Sequence, residues 1–196
     1  MNEKYPLLFS PIKIGNKWAK NRISCSPQSV AGSHDANGIT QRGFDYYLER
    51  AKGGAGIVTL GETQVLSDFF QNPSEDETIK YRMLTELIGD YGALSSIELG
   101  HRGCEDYVFE AGAHVEGPSG GIKEPFGVII DEITPARMEE LAEAYAKACA
   151  YCVECGFDMV MIHGGHTWLL AQFLSPLFNK REDEYGGSIE NRASSQ

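Results

Sequence analysis

Basic side chains are scarce: 17 lysines and arginines stand against 28 aspartates and glutamates, a formal net charge of −11 over 196 residues. A surface that neutralises a run of phosphates is therefore not expected, and nucleic acid is set aside as a partner. Long apolar runs are lacking too. No stretch reaches the roughly 18 uninterrupted apolar residues of a membrane span, and residues 1–6 carry no basic-then-apolar leader, so the sequence implies no membrane and a cytoplasmic location. Cysteine occurs five times, at Cys25, Cys104, Cys149, Cys152 and Cys155. The number is odd and a chain of this length folds without disulfides, so reduced thiols are expected. The 42% apolar content is that of an ordinary globular chain, and the length suits one domain with no second domain.

What is present alternates. Short β-branched or apolar runs at 22–26, 55–60, 95–99 and 157–163 are separated by helical patterns, which predicts parallel strands with helical crossovers, an α/β fold. Thr40 caps a first helix with Phe44, Tyr47, Leu48 and Ala51 on one face and a stop at Gly53-Gly54. A second helix is expected over 77–91. The third has Thr134 as cap, Pro135 at its first position, apolar residues at helical spacing to Cys152, and Gly156 as terminator. Ile12 to Ile14 and a Gly15-Asn16 turn read as a β-hairpin that closes the bottom of a sheet or barrel. The Gly- and Pro-rich segment 103–133 reads as a long loop serving as a lid.

Chemistry-bearing residues gather where strands end. Met159, Met161 and His163 share a parity, so methionines filling the interior would bring His163 to its mouth. His166 and Trp168 follow at once. Two imidazoles there could bind a substrate oxygen, act as acid and base, hold a metal, or make structural hydrogen bonds; the spacing does not separate these. Glu98 and His101 end the third strand, where a salt bridge and a satisfied rim histidine are the plain alternatives. A metal site of His101, His163 and His166, as in a metal-dependent hydrolase, lacks the helical His-x-x-x-His register. Cys149, Cys152 and Cys155 have the look of a ligand run but lie in the strongest helix, where core packing is the expected role.

Longer motifs carry a resemblance. Leu8-Phe9-Ser10-Pro11-Ile12-Lys13-Ile14-Gly15, Lys20-Asn21-Arg22-Ile23, Ser26-Pro27 and Arg50-Ala51-Lys52-Gly53-Gly54 resemble the opening of the Old Yellow Enzyme family of flavin-dependent ene-reductases. Gln172-Phe173-Leu174-Ser175-Pro176, Asn179, Arg181, Asp183, Glu184 to Ser188 and Glu190-Asn191-Arg192 continue it, and the nearest flavour is the enoate and dienoyl-thioester reductase branch. The resemblance implies a TIM (β/α)8-barrel family fold, here about the first four βα units, with FMN as cofactor and NADH or NADPH as reductant. It implies a small-molecule activated alkene, an alkene conjugated to a carbonyl, as substrate. Ser26, Pro27, Gln28, Ser29, Gly61 and Glu98 would contact FMN, Gly61 by letting the ring approach. His163 and His166 would be the catalytic pair that holds the carbonyl oxygen, with Trp168 beside the substrate.

Three positions depart from that family's pattern. Glu98 stands where Gln is usual, Trp168 where a proton-donating Tyr often stands, leaving solvent or Tyr107 for the proton, and Ala31 where some relatives have a substrate-binding Tyr. The family's phosphate site lies on the last two of eight strands, so the expectation for this chain is an N-terminal half barrel. Such a fragment would hold FMN weakly and leave its outer strands open; the alternative expectation is a non-catalytic half barrel in which two copies pair those edges as a homo-oligomer.

Overall fold

A computed structural model describes residues 4–28, 30–35 and 38–194, which divide into two compact units: Met1–Leu99 with Ala146–Met161, and Gly100–Tyr145 with Ile162–Gln196. The first opens with the expected hairpin, β1 (Ile12–Ile14) antiparallel to β2 (Lys17–Ala19), and Gly15 takes the φ of +58° that the turn needs. There follow β3 (Ser24–Cys25), the short pair β4 (His34–Asp35) and β5 (Gly38–Ile39), α1 (Gln41–Lys52), β6 (Ile57–Gln64), α2 (Asp68–Gln71), α3 (Glu75–Asp90) and β7 (Leu94–Gly100). Beyond a 3-10 turn at Gly103–Glu105 come β8 (His114–Gly117), β9 (Gly121–Lys123), β10 (Val128–Glu132), α4 (Pro135–Glu154), β11 (Met159–Ile162), α5 (Leu169–Leu174) and α6 (Ile189–Ala193). From Ala146 onward α4 belongs to the first unit. No described helix is long and apolar enough to cross a membrane.

The main sheet has the order β11-β7-β6-β3, and β3 pairs parallel to β6 with Ser24 opposite Ile57. Spatial order therefore follows chain order, with α1, α3 and α4 in the crossovers. A sheet that grows in one direction has no reversal point, so it is singly wound, as in a barrel, rather than doubly wound. All four expected strands occur. Their bounds shift, because backbone pairing rather than the apolar pattern decides where a strand ends: the first contracts to β3, and β6 runs past Gly61 through polar residues.

Caps set the helices. Thr40 Oγ1 accepts from Gly43 N–H at 3.2 Å, and α1 buries Gly43, Tyr47 and Ala51 one turn apart. The second helix starts two residues before its expected position because Ser74 makes a capping box: its Oγ accepts from Glu77 N–H and Glu77 Oε2 accepts from Ser74 N–H. Thr134 Oγ1 accepts from Arg137 N–H at 3.2 Å, and Gly156 takes φ +81° just past α4. Val58 of β6 and Leu84 and Ile88 of α3 are fully buried. An aromatic cluster of Phe69, Tyr81, Tyr151 and Phe157 joins α3 to the end of α4. The hairpin is tied to the strand starts: Lys17 Nζ meets Asp158 Oδ1 at 2.8 Å, and Asp158 Oδ2 accepts from Ser95 N–H at 3.0 Å.

In the second unit the segment expected as a lid loop is a small sheet. β10 runs parallel to β8 and antiparallel to β9, over a cluster of Cys104, Val115 and Val128. Its strands are three to five residues long and broken by glycine, too short for a periodicity to stand out. Where β7 ends, His101 Nδ1 accepts from Gly103 N–H at 2.9 Å, and its Nε2 lies 3.7 Å from Glu116 Oε2. Burial lowers the His101 pKa, opposed in part by Glu116.

Two outcomes are expected. Leu84→Ala should reduce the unfolding free energy by about 2–5 kcal/mol, read by urea denaturation. Unfolded, His101 binds its proton near about pH 6.5. Folded, it binds it at lower pH, so its contribution is complete above that value and is lost as the pH falls through the folded pKa. The urea midpoint should accordingly drop more between pH 7.5 and 5.5 in the native chain than in His101→Asn; equal drops would count against a neutral buried imidazole.

Candidate functional site

His163 follows directly on β11 and is buried, then Gly164 and Gly165 lead into a turn. His166 and Thr167 both sit in the left-handed region, at φ +51° and +57°, which residues bearing a Cβ seldom occupy. The turn folds His166 back on His163: the rings lie 19° from parallel with centroids 5.1 Å apart, and His166 Nδ1 is 3.3 Å from His163 Nε2. The Trp168 indole packs 4.3 Å from the His163 ring and is nearly buried. Gly100, the last residue of β7, makes room for this, since a Cβ there would overlap the indole and crowd His163 Cβ at 3.3 Å. Arg102 stacks on Trp168 and on Tyr107, its guanidinium carbon 5.5 Å and 4.2 Å from the two ring centroids. The structure thus brings together His163, His166 and Trp168 and adds Gly100 and Arg102, whose roles have no signature in the residue pattern. His101 turns its ring to Gly103 and Glu116 instead of joining the pair.

A second group lies in the first unit. Ser26, Pro27 and Gln28 follow β3, and Ser29 lies outside the described residues. Two tyrosines of α1 hold this loop: Tyr47 donates to Gln28 O at 3.1 Å and Tyr46 donates to Gln28 Oε1 at 2.5 Å. Burial raises the Tyr47 pKa, which keeps its hydroxyl protonated as a donor. A Cβ on Gly61 would overlap Pro27 and stand 2.8 Å from Gln28 N, so glycine lets β6 and the loop meet. Beneath the loop is a recess of about 280 Å³ lined by Ser26, Gln28, Arg50 and Thr59, among others. The Thr59 hydroxyl is buried and finds no hydrogen-bond partner among the described residues. Glu98 is buried on β7, the strand beside that of Gly61. The hydroxyls and peptide groups of the recess, and the carboxyl group buried on the neighbouring strand, are donor and acceptor types suited to the polar edge of a flavin.

Cys149, Cys152 and Cys155 are packing residues. Burial raises all three thiol pKa values, that of Cys152 to about 12, which disfavours thiolate ligands. Among the described residues no three His, Cys, Asp or Glu side chains gather as a metal site.

Residues 7–194 match the model of the NADH:flavin oxidoreductase / NADH oxidase family. An NADPH dehydrogenase of Bacillus licheniformis is 37% identical over 94% of this chain and 56% of its own length, and a cinnamate reductase of Clostridium sporogenes 35% identical over 98% and 31%. Among solved structures, a 2-naphthoyl-CoA reductase complex aligns with TM-score 0.82 at 30% identity, covering 97% of this chain and 32% of that one. The Old Yellow Enzyme of Pichia sp. AKU4542 aligns with TM-score 0.81 at 27% identity, covering 96% and 54%. The chain thus spans about half or a third of the length of these relatives, and its fold is the TIM-barrel class, over about the first four βα units. The family's cofactor is FMN, with NADH or NADPH as reductant. By its motifs, its strand order and these likenesses, the chain belongs to the NADH:flavin oxidoreductase / NADH oxidase family.

Proposed function

We propose that residues 1–196 supply the N-terminal half of an FMN-binding barrel domain that uses NADH or NADPH to reduce alkenes conjugated to a carbonyl: enones, enoates or enoyl thioesters. The observation that carries this reading is the His163–His166 pair, two imidazoles 3.3 Å apart on a turn packed against an indole. Bound FMN would supply the hydride chemistry. The chain's own part is to hold the carbonyl oxygen between the two imidazoles. Negative charge grows on that oxygen as the alkene β-carbon is reduced, and donors fixed in advance stabilise it most at that moment. Ser26, Pro27, Gln28 and Gly61 would hold the ring edge, and Glu98 would accept from its imide. Trp168 walls the oxygen site and has no acidic hydroxyl, which leaves the second proton to solvent or to Tyr107 on the Arg102 stack. The names of two relatives, cinnamate reductase and 2-naphthoyl-CoA reductase, support acids and thioesters as substrates.

In FMN-loaded protein, His163→Ala should slow the reduction of a cinnamate-type substrate by about 10²-fold. Unchanged alkene turnover would show that the imidazole does not bind the oxygen. Glu98→Gln should bind FMN about 2- to 10-fold more tightly, because an amide adds a donor worth about 0.5–1.5 kcal/mol where the carboxylate only accepts. Flavin fluorescence quenching measures this, and equal affinity would place Glu98 away from the flavin edge.

A further inference from the structure

We propose that Gln172 is a positioning residue for the imidazole pair: its buried amide holds the Thr167 carbonyl, and through it the left-handed turn that keeps His166 against His163. The inference rests on the reading of that pair as the oxygen-binding site, and Gln172 itself touches no reacting atom.

Gln172 is 0% exposed, and its amide is committed on both ends. Nε2 donates to Thr167 O at 2.6 Å and to Arg102 O at 2.8 Å, while Oε1 accepts from Cys104 N–H at 3.2 Å. Reversing the amide would set oxygen against two carbonyls, so only one orientation is satisfied. Gly103, at φ +59°, is shaped to this side chain, for a Cβ there would overlap Gln172 Oε1. The amide therefore joins three pieces of chain: the segment leaving β7, the turn carrying His166, and the first turns of α5.

What it holds has a strong tendency to move. Threonine is β-branched and Thr167 is exposed, so no packing of its own side chain favours its φ of +57°. Within the turn, Trp168 N–H donates to Gly165 O at 3.0 Å and Thr167 Oγ1 to His166 O at 2.6 Å, and neither bond engages the Thr167 carbonyl. With the carbonyl released, Thr167 would relax to negative φ. The preceding peptide would rotate, swinging the His166 ring out of reach of His163 Nε2.

Gln172→Met keeps the length of the side chain and removes all three hydrogen bonds. In the isotopically labelled 196-residue chain, the ring-to-ring nuclear Overhauser effect between His163 and His166 should fall about fivefold or more, since an unheld left-handed threonine is a minor conformer by at least that ratio. Adding Thr167→Gly makes the left-handed backbone inexpensive and should restore much of the signal, whereas Thr167→Gly alone should leave it unchanged. A role confined to packing predicts a lower melting temperature with the ring contact intact and no rescue, and that result would overturn the proposal. If Gln172→Met fails to fold, Gln172→Asn, whose shorter amide cannot span Thr167 and Cys104 together, takes its place with the same expected loss; a retained contact in Gln172→Asn overturns the proposal equally. None of these signals depends on FMN or turnover, so failure here is distinct from failure of the ene-reductase reading.

Discussion

Two adjacent residues with side chains in the left-handed region, His166 and Thr167, are the constraint on which the candidate site depends, because the facing of the two imidazoles follows from their backbone. Such a conformation persists only where its surroundings over-determine it. Here they do so from several sides. Gly100 leaves the space into which Trp168 packs, Leu169 N–H donates to His101 O at 2.9 Å to dock the start of α5 beside the end of β7, and Gln172 gathers the carbonyls around it. The site is thus built by what the chain does just after two strands end.

The same device recurs along the motif that follows. Asn179 Nδ2 donates to Phe173 O and Tyr185 O at 2.8 Å, and Arg181, with a side chain 3% exposed, donates to Pro118 O and Ile133 O and forks onto Asp183. These buried polar residues satisfy carbonyls that loops would otherwise leave unpaired away from water, at a cost that an apolar replacement would not meet. The segment from Gln172 to Arg192 lies within the residues that match the family. Its polar residues Gln172, Asn179 and Arg181 act on the backbone.

Two positions bear on how this member of the family would differ from its relatives. Under the proposed function a carboxylate at Glu98, buried on β7, would offer acceptance alone to the flavin edge. An indole at Trp168 gives shape and a cation–π partner for Arg102 in place of an acidic hydroxyl. Under the proposed function, oxygen binding would fall to the turn after β11 and proton delivery to another group.

Local signals in the sequence were enough for the elements whose causes are local. Thr40, Thr134 and Gly156 bound helices because caps and glycine terminators act over three or four residues, and Gly15 makes its hairpin turn alone. The Ser74–Glu77 box was equally local and marks the true start of α3, two residues ahead of the apolar pattern. The three-stranded sheet in 103–133 was not legible, since strands of three to five residues are stabilised by partners rather than by their own period. Of the site, the order and spacing of His163, His166 and Trp168 placed them after one strand. That they face one another, that Gly61 is shaped to Pro27, and that Gln172 reaches Thr167, Arg102 and Cys104 were decided by tertiary structure: the left-handed turn at His166 and Thr167 is held through the segment that leaves β7, and Pro27 meets Gly61 only once β3 pairs with β6, so no local pattern encodes that geometry.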